Sequence, residues 1–159
     1  MLKYSKLFVF VVGTFTYLSL SGCARDLLPL PVSESKLISK AINNGFEAEI
    51  DLNYIDAYSN LKQAYKKCVA FKRLTDHQIV LKTNLDRESK IGTIIANTNL
   101  GGYVSKVELY GINDNKSKMN FYLPESKFFT ANYNLTEGKK RFEDEIKRAL
   151  GVDSKCNRN

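Results

Sequence analysis

Histidine is almost missing from this sequence: His77 is the single one in 159 residues. Catalysis usually draws on a tunable acid or base, a nucleophile or a metal, so this scarcity removes the commonest general base and metal ligand. His77 adjoins Asp76 in the approach to a strand. The pair reads either as an Asp-His dyad or as a solvated turn, and neighbours in extended chain point in different directions. No Gly-x-Ser-x-Gly elbow is present, and Ser33-Glu34-Ser35-Lys36, a Ser-x-x-Lys match, sits in a tether-like stretch. Glu47/Glu49 and Glu143/Asp144/Glu145 fall on polar faces, as solvated charge does. Asp114, between Asn113 and Asn115, lacks the series of oxygen ligands that ends a calcium loop. There is no phosphate-cradling glycine loop. The expectation is a protein that is not an enzyme and has no catalytic residues, no metal and no cofactor.

What is present is concentrated at the amino terminus. Lys3 and Lys6 give a positive start, and Leu7 to Leu18 is an apolar run broken by Gly13, Thr14 and Thr16. Such a run is shorter than the roughly twenty residues a membrane span needs, and it fits the core of an export signal. Leu20-Ser21-Gly22-Cys23 then resembles the lipobox of bacterial lipoproteins. The resemblance implies that Cys23 takes a diacylglyceryl group through a thioether, that the chain is cut before it, and that residues 1–22 are a signal peptide. Two or three acyl chains, at about 0.8 kcal/mol per buried methylene, hold a protein on a membrane permanently. Ala24 and Arg25, with no Asp after the cysteine, imply transport to the outer membrane, with the domain facing the periplasm. The alternative is cleavage after Ala24, which would discard Cys23 and release a soluble periplasmic protein.

Removing residues 1–22 leaves 137, which is room for one domain with a modest core. The formal charge of +7 falls to about +5 without Lys3 and Lys6, a balance that raises nucleic acid as a partner. The expected compartment argues for no nucleic acid. Headgroup and glycan anions are the alternative to a generally solvated basic surface. With Cys23 committed to lipid, Cys68 and Cys156 remain, an even number in an oxidising compartment, so a disulfide is the default expectation. In the chain-entropy model a loop of that size stabilises by about 4 to 5 kcal/mol. Metal ligation and a reactive thiol are the alternatives, but no second pair of Cys or His completes a zinc site.

Along the mature chain, residues 23–35 read as lipidated Cys and tether, and 36–159 as the domain. A short helical turn is expected within Glu34 to Asn43. Phe46 to Leu52 alternates apolar and acidic residues as a half-buried strand does. Ile55, Tyr58, Leu61, Tyr65, Cys68 and Val69 repeat by threes and fours as on a helix, with Cys68 on the buried face and Asp56 near the positive end of the dipole. Four strands follow. Ile79, Leu81 and Thr83 point inward in the first, Ile91, Thr93 and Ile95 share a face in the second, Val107 and Leu109 oppose Lys106 and Glu108 in the third, and Met119, Phe121 and Leu123 mark the last. Short connections make these an antiparallel meander. Glu125 to Tyr133 is less regular. Asn134 caps a last helix with Glu137 as its partner, Gly138, Phe142, Ile146, Ala149 and Leu150 form the buried stripe, and Gly151 ends it.

The expected fold is therefore α+β, a two-layer sandwich with an antiparallel sheet of about five strands and two helices on one face, in the order βαββββα. That order resembles the TATA-binding-protein-like arrangement, which also occurs in periplasmic lipoprotein domains such as those of BamC. The chain is also similar to small proteobacterial lipoproteins that combine a lipobox with a helix patterned as Ala57-Tyr58-Ser59-Asn60-Leu61 through Tyr65 and Cys68, and a cysteine near the carboxy terminus. The resemblance brings no catalytic residues.

Nine tyrosines and nine phenylalanines supply material for a binding surface. Phe128, Phe129 and Tyr133, in the irregular stretch, are the candidate partner or ligand contacts, with core packing as the alternative. Two functions are expected from different classes. The first is a membrane-bound envelope lipoprotein, anchored through Cys23, that binds another envelope protein; it predicts an apolar patch or an open sheet edge. The second is a binding module for an amphipathic or anionic ligand such as lipid or glycan, which predicts a lysine-flanked cavity between sheet and helices.

Overall fold

The computed structural model describes residues 30–72, 78–128 and 131–153. Its backbone is an antiparallel sheet with two long helices on one face. The elements are α1 (Glu34–Ser39), a 3-10 turn (Ile42–Asn44), β1 (Phe46–Ile50), α2 (Tyr54–Cys68), β2 (Phe71–Lys72), β3 (Gln78–Asp86), β4 (Ile91–Thr98), β5 (Tyr103–Asn113), β6 (Lys116–Tyr122), β7 (Ser126–Phe128), β8 (Ala131–Tyr133) and α3 (Leu135–Ala149). The order β1-α2-β3-β4-β5-β6-α3 is the expected βαββββα. Short β2 joins the five long strands to give the spatial order β1-β6-β5-β4-β3-β2, and β7 and β8 form a separate hairpin.

Both helices begin where side chains satisfy free backbone donors. Asn53 accepts from the amides of Ile55 (3.1 Å) and Asp56 (3.0 Å), and Asn134 accepts from the amide of Glu137 (3.0 Å). Gly151 (φ +74°) closes α3 with Val152 N–H donating to Lys147 C=O at 3.0 Å. Val152 and Leu150 stay exposed, so the stripe of α3 ends at Ala149.

Helix α2 lies across β3, β4, β5 and β6, and α3 packs beside it and over β1. Tyr58, Leu61, Ile94, Val107, Leu109, Met119 and Phe121 fill the space between them. Phe46, Phe121 and Phe142 stack in a group, with ring centroids 5.4 to 6.4 Å apart.

Strand β4 keeps Ile91, Thr93 and Ile95 on one face, as expected, and that face is the outer one. The helix-facing residues are Gly92, Ile94 and Ala96. Apolar residues occupy both sets, so alternation alone does not choose. The ring of Tyr58 decides it, because a Cβ on residue 92 would stand 2.8 Å from Tyr58 Cδ2.

Residues 30–35, the end of the stretch expected as a tether, are held against the sheet and the start of α1. Pro31 C=O accepts from the amide of Tyr103 at 2.8 Å, and Ser33 caps α1. Helix α1 packs on β5 from the outer side, with Leu37 wholly buried. The sheet is thus covered by two helices on one face and by part of residues 30–41 on the other.

Candidate functional site

The residues singled out by sequence scatter. Cys23, Asp76, His77, Phe129 and Cys156 lie outside the described residues. Cys68 is the last residue of α2 and half-buried, and its sulfur is bonded rather than a free thiol. Phe128 and Tyr133 belong to the β7–β8 hairpin, where Phe128 stands opposite Ala131 and Tyr133 opposite Ser126. The stretch read as irregular is therefore two three-residue strands, too short to show a period.

Other motifs resolve into local structure. Ser33 Oγ accepts from the amide of Lys36 at 3.3 Å, so the Ser-x-x-Lys match is a helix cap. Asn113 Oδ1 accepts from the amide of Asn115 at 2.9 Å, making Asn113-Asp114-Asn115 a side-chain-stabilised turn. Beside it is an open depression of about 380 Å³ lined by Asn53, Tyr54, Asp56 and Lys90 among others. Among the described residues no group of three or more His, Cys, Asp or Glu side chains is placed to hold a metal. Glu47 and Glu49 are exposed and pair with Lys118 (2.7 Å) and Lys116 (3.1 Å).

Two buried charge clusters were not anticipated. On the outer face Lys106 is 4% exposed and pairs with both Glu34 of α1 and Glu108 of its own strand. Burial pulls the ammonium's pKa down, but hydrogen bonds and charge from Glu108 and Glu34 together outweigh it, and the net shift is upward. Tyr110 extends the chain by donating to Glu108 Oε2 at 2.8 Å. Burial first, and Glu108 second, raise its hydroxyl pKa.

On the inner face the exception is Glu145, 4% exposed on α3 although its neighbours Glu143 and Asp144 face outward. Its Oε1 accepts from Arg148 Nη1 at 2.7 Å, and Arg148 Nε also donates to Asp153 Oδ2 at 3.2 Å. Glu145 Oε2 and the hydroxyl of Tyr65, which is fully buried on α2, make no hydrogen bond of good geometry, but Tyr65 lies near enough to Glu145 and to Ser105 of β5 to interact with both. Loss of water lifts the Glu145 carboxyl from 4.5 to about 7, against the opposing pull of Arg148, Arg141 and the Tyr65 hydroxyl. Burial and the nearby Glu145 also push the Tyr65 hydroxyl well up. Spacing carried a signal for this: residue 145 is three beyond Phe142, seven beyond Gly138 and four before Ala149, on the buried stripe. Chemically, Glu145 holds a proton near neutrality, but α2, α3 and β5 enclose it.

No family model matches the chain, and no curated protein matches it significantly. Solved structures that match include the Zhui aromatase/cyclase from Streptomyces sp. R1128, at 8% identity over 69% of this chain and 86% of that one, with a TM-score of 0.31. Another is norcoclaurine synthase from Thalictrum flavum, solved with dopamine and hydroxybenzaldehyde, at 14% identity over 70% and 86%, with a TM-score of 0.33. Both are enzymes by name.

Proposed function

We propose that this chain is a lipid-anchored bacterial envelope protein, attached through Cys23 to the periplasmic face of the outer membrane, whose domain has a non-enzymatic role in binding another envelope protein. The anchor rests on Leu20-Ser21-Gly22-Cys23 at the end of an apolar run. The interaction role rests on the open edge of β3. Strand β2 pairs with Gln78 and Ile79 only, so among the described residues Val80 to Asp86 have β4 as their one neighbouring strand. Val80 is 41% exposed on that edge. An extended segment of a partner can add to such an edge through main-chain hydrogen bonds. The opposite edge, β1, is five residues long and carries Glu47 and Glu49, which discourage strand addition. A lipid or glycan module would call for a cavity between sheet and helices, and apolar side chains occupy that space.

Crosslinking from a photoreactive residue at Val80, in intact envelopes, tests the role. One stoichiometric protein partner is the expected product; recovery of lipid or glycan alone would refute it in favour of the ligand-binding alternative. Mass spectrometry of the purified protein tests the anchor, with a diacylglyceryl thioether on Cys23 expected. An unmodified Cys23, or a chain that starts beyond it, would overturn it. The same spectra, taken without reduction, test the proposed Cys68–Cys156 bond.

A further inference from the structure

We infer that the domain stands end-on against the bilayer that holds it, with the β4–β5 turn and the chain entry at Leu30 to Val32 seated on lipid. This orientation rests on the anchor at Cys23 proposed above. Between Cys23 and Leu30 the chain has only Ala24 to Pro29, a stretch with no glycine or serine and with Leu27 and Leu28 in its middle. Fully extended, the path from Cys23 to Leu30 spans at most about 25 Å. Leu30 lies beside the β4–β5 turn: a Cβ on Gly102 would stand 3.0 Å from Leu30 Cβ, and Tyr103 N–H donates to Pro31 C=O at 2.8 Å. That turn is therefore the part of the sheet tied closest to the anchor.

Reach and surface chemistry select the same end. Strand β5 is 11 residues long and runs about 35 Å from the β4–β5 turn to the β5–β6 turn. A domain standing on its far turn would hold Leu30 farther from the bilayer than the tether extends. The near end also presents apolar side chains to solvent: Leu100 in the turn is 77% exposed, and Val32, next to Pro31, is 70% exposed. The turn is closed by Gly101 N–H donating to Thr98 C=O at 3.0 Å and Gly102 N–H donating to Thr98 Oγ1 at 2.9 Å. A Cβ on Gly101 would meet nothing within 4 Å, so the turn projects clear of the domain. Apolar side chains on such a projection gain by entering the boundary between headgroups and acyl chains. Ile112, 48% exposed near the far turn, is apolar too, but the tether cannot bring it down to lipid while the domain stands upright. In this orientation the open edge of β3 leads away from the membrane, from Gln78, whose C=O accepts from the amide of Asn99 at 3.0 Å, to Asp86. It stays free for a partner strand.

Fluorescence quenching tests the orientation, because the chain has no tryptophan of its own and Leu100→Trp and Ile112→Trp each introduce a single one. Lipidated protein purified from envelopes is placed in vesicles of phosphatidylethanolamine and phosphatidylglycerol with brominated acyl chains, and its flotation with the vesicles is scored. Leu100→Trp is expected to lose most of its emission to the bromines, and Ile112→Trp to keep its own. Equal quenching of both variants, or of neither, in protein that floats overturns the orientation and leaves the anchor standing. Protein that does not float refutes the anchor, and the orientation with it. Wild-type protein in vesicles with a photoactivatable phospholipid excludes any affinity that the new tryptophan lends. Tryptic peptide 91–106, which holds the turn, should carry the label and peptide 107–116 should not; label on both, or on neither, overturns the orientation.

Discussion

The two faces of the sheet bury one charge cluster each and treat it in opposite ways. Lys106, on the outer face, has two carboxylates for a single cation, and one of them, Glu34, is 43% exposed. It stays charged. Glu145, on the inner face, shares Arg148 with Asp153 and is shut from water by two helices, so its charged form is disfavoured near neutrality. Whether a buried ionic group keeps its charge therefore depends here on the ratio of counter-ions to charges and on residual contact with solvent, not on burial alone.

Substitutions on each face sharpen this contrast, beginning with the core that both surround. Phe121→Ala would empty the middle of the Phe46–Phe121–Phe142 group and should cost about 4 kcal/mol, read as a lower denaturant midpoint at unchanged slope. Lys106→Met should cost less, about 2 kcal/mol, because Glu108 loses its cation while half-exposed Glu34 recovers water. The loss should be accompanied by faster hydrogen exchange in α1 but not in α3. Gly92→Ala should cost about 1 to 2 kcal/mol, since its methyl meets the Tyr58 ring at 2.8 Å and α2 must shift outward. Lys118→Ala, which removes an exposed pair with Glu47, should change stability by less than about 0.5 kcal/mol in the same assay.

Sequence periodicity carried the frame of this fold and not its exceptions. In β1, in β6 and over Lys106 to Leu109 of β5 one alternate set is largely apolar and the other polar, so Phe46, Ile50, Val107, Leu109, Met119 and Phe121 are legible as core. In β4 both sets are apolar, and only the fit of Gly92 against Tyr58 fixes which side faces the helices. Lys106 sits at a position that alternation assigns to solvent, and it does face away from the helices. Its burial comes from α1, a tertiary contact with no local signature. Glu145 was the reverse case. Its helical position marked it as inward, but its identity as one of three consecutive acids suggested a solvated face, and the chemistry of the residue misled where the spacing did not.

The open edge of β3 was expected only as a class of feature. Strand length and alternation locate the strand, whereas its lack, among the described residues, of a second neighbour beyond Ile79 follows from the sheet order. Phe128 and Tyr133 were chosen because they stood in a stretch with no period. The hairpin that holds them pairs over three residues on each side, below the length at which alternation can be read.

Carbon-detected NMR titration of the Glu145 side-chain carboxyl in the folded protein bears most directly on the contrast between the faces. A midpoint near pH 7, well above that of exposed Glu143, is the predicted result. A midpoint at or below 4.5 would mean that Arg148 keeps Glu145 ionised, and that the two faces hold their charges in the same way.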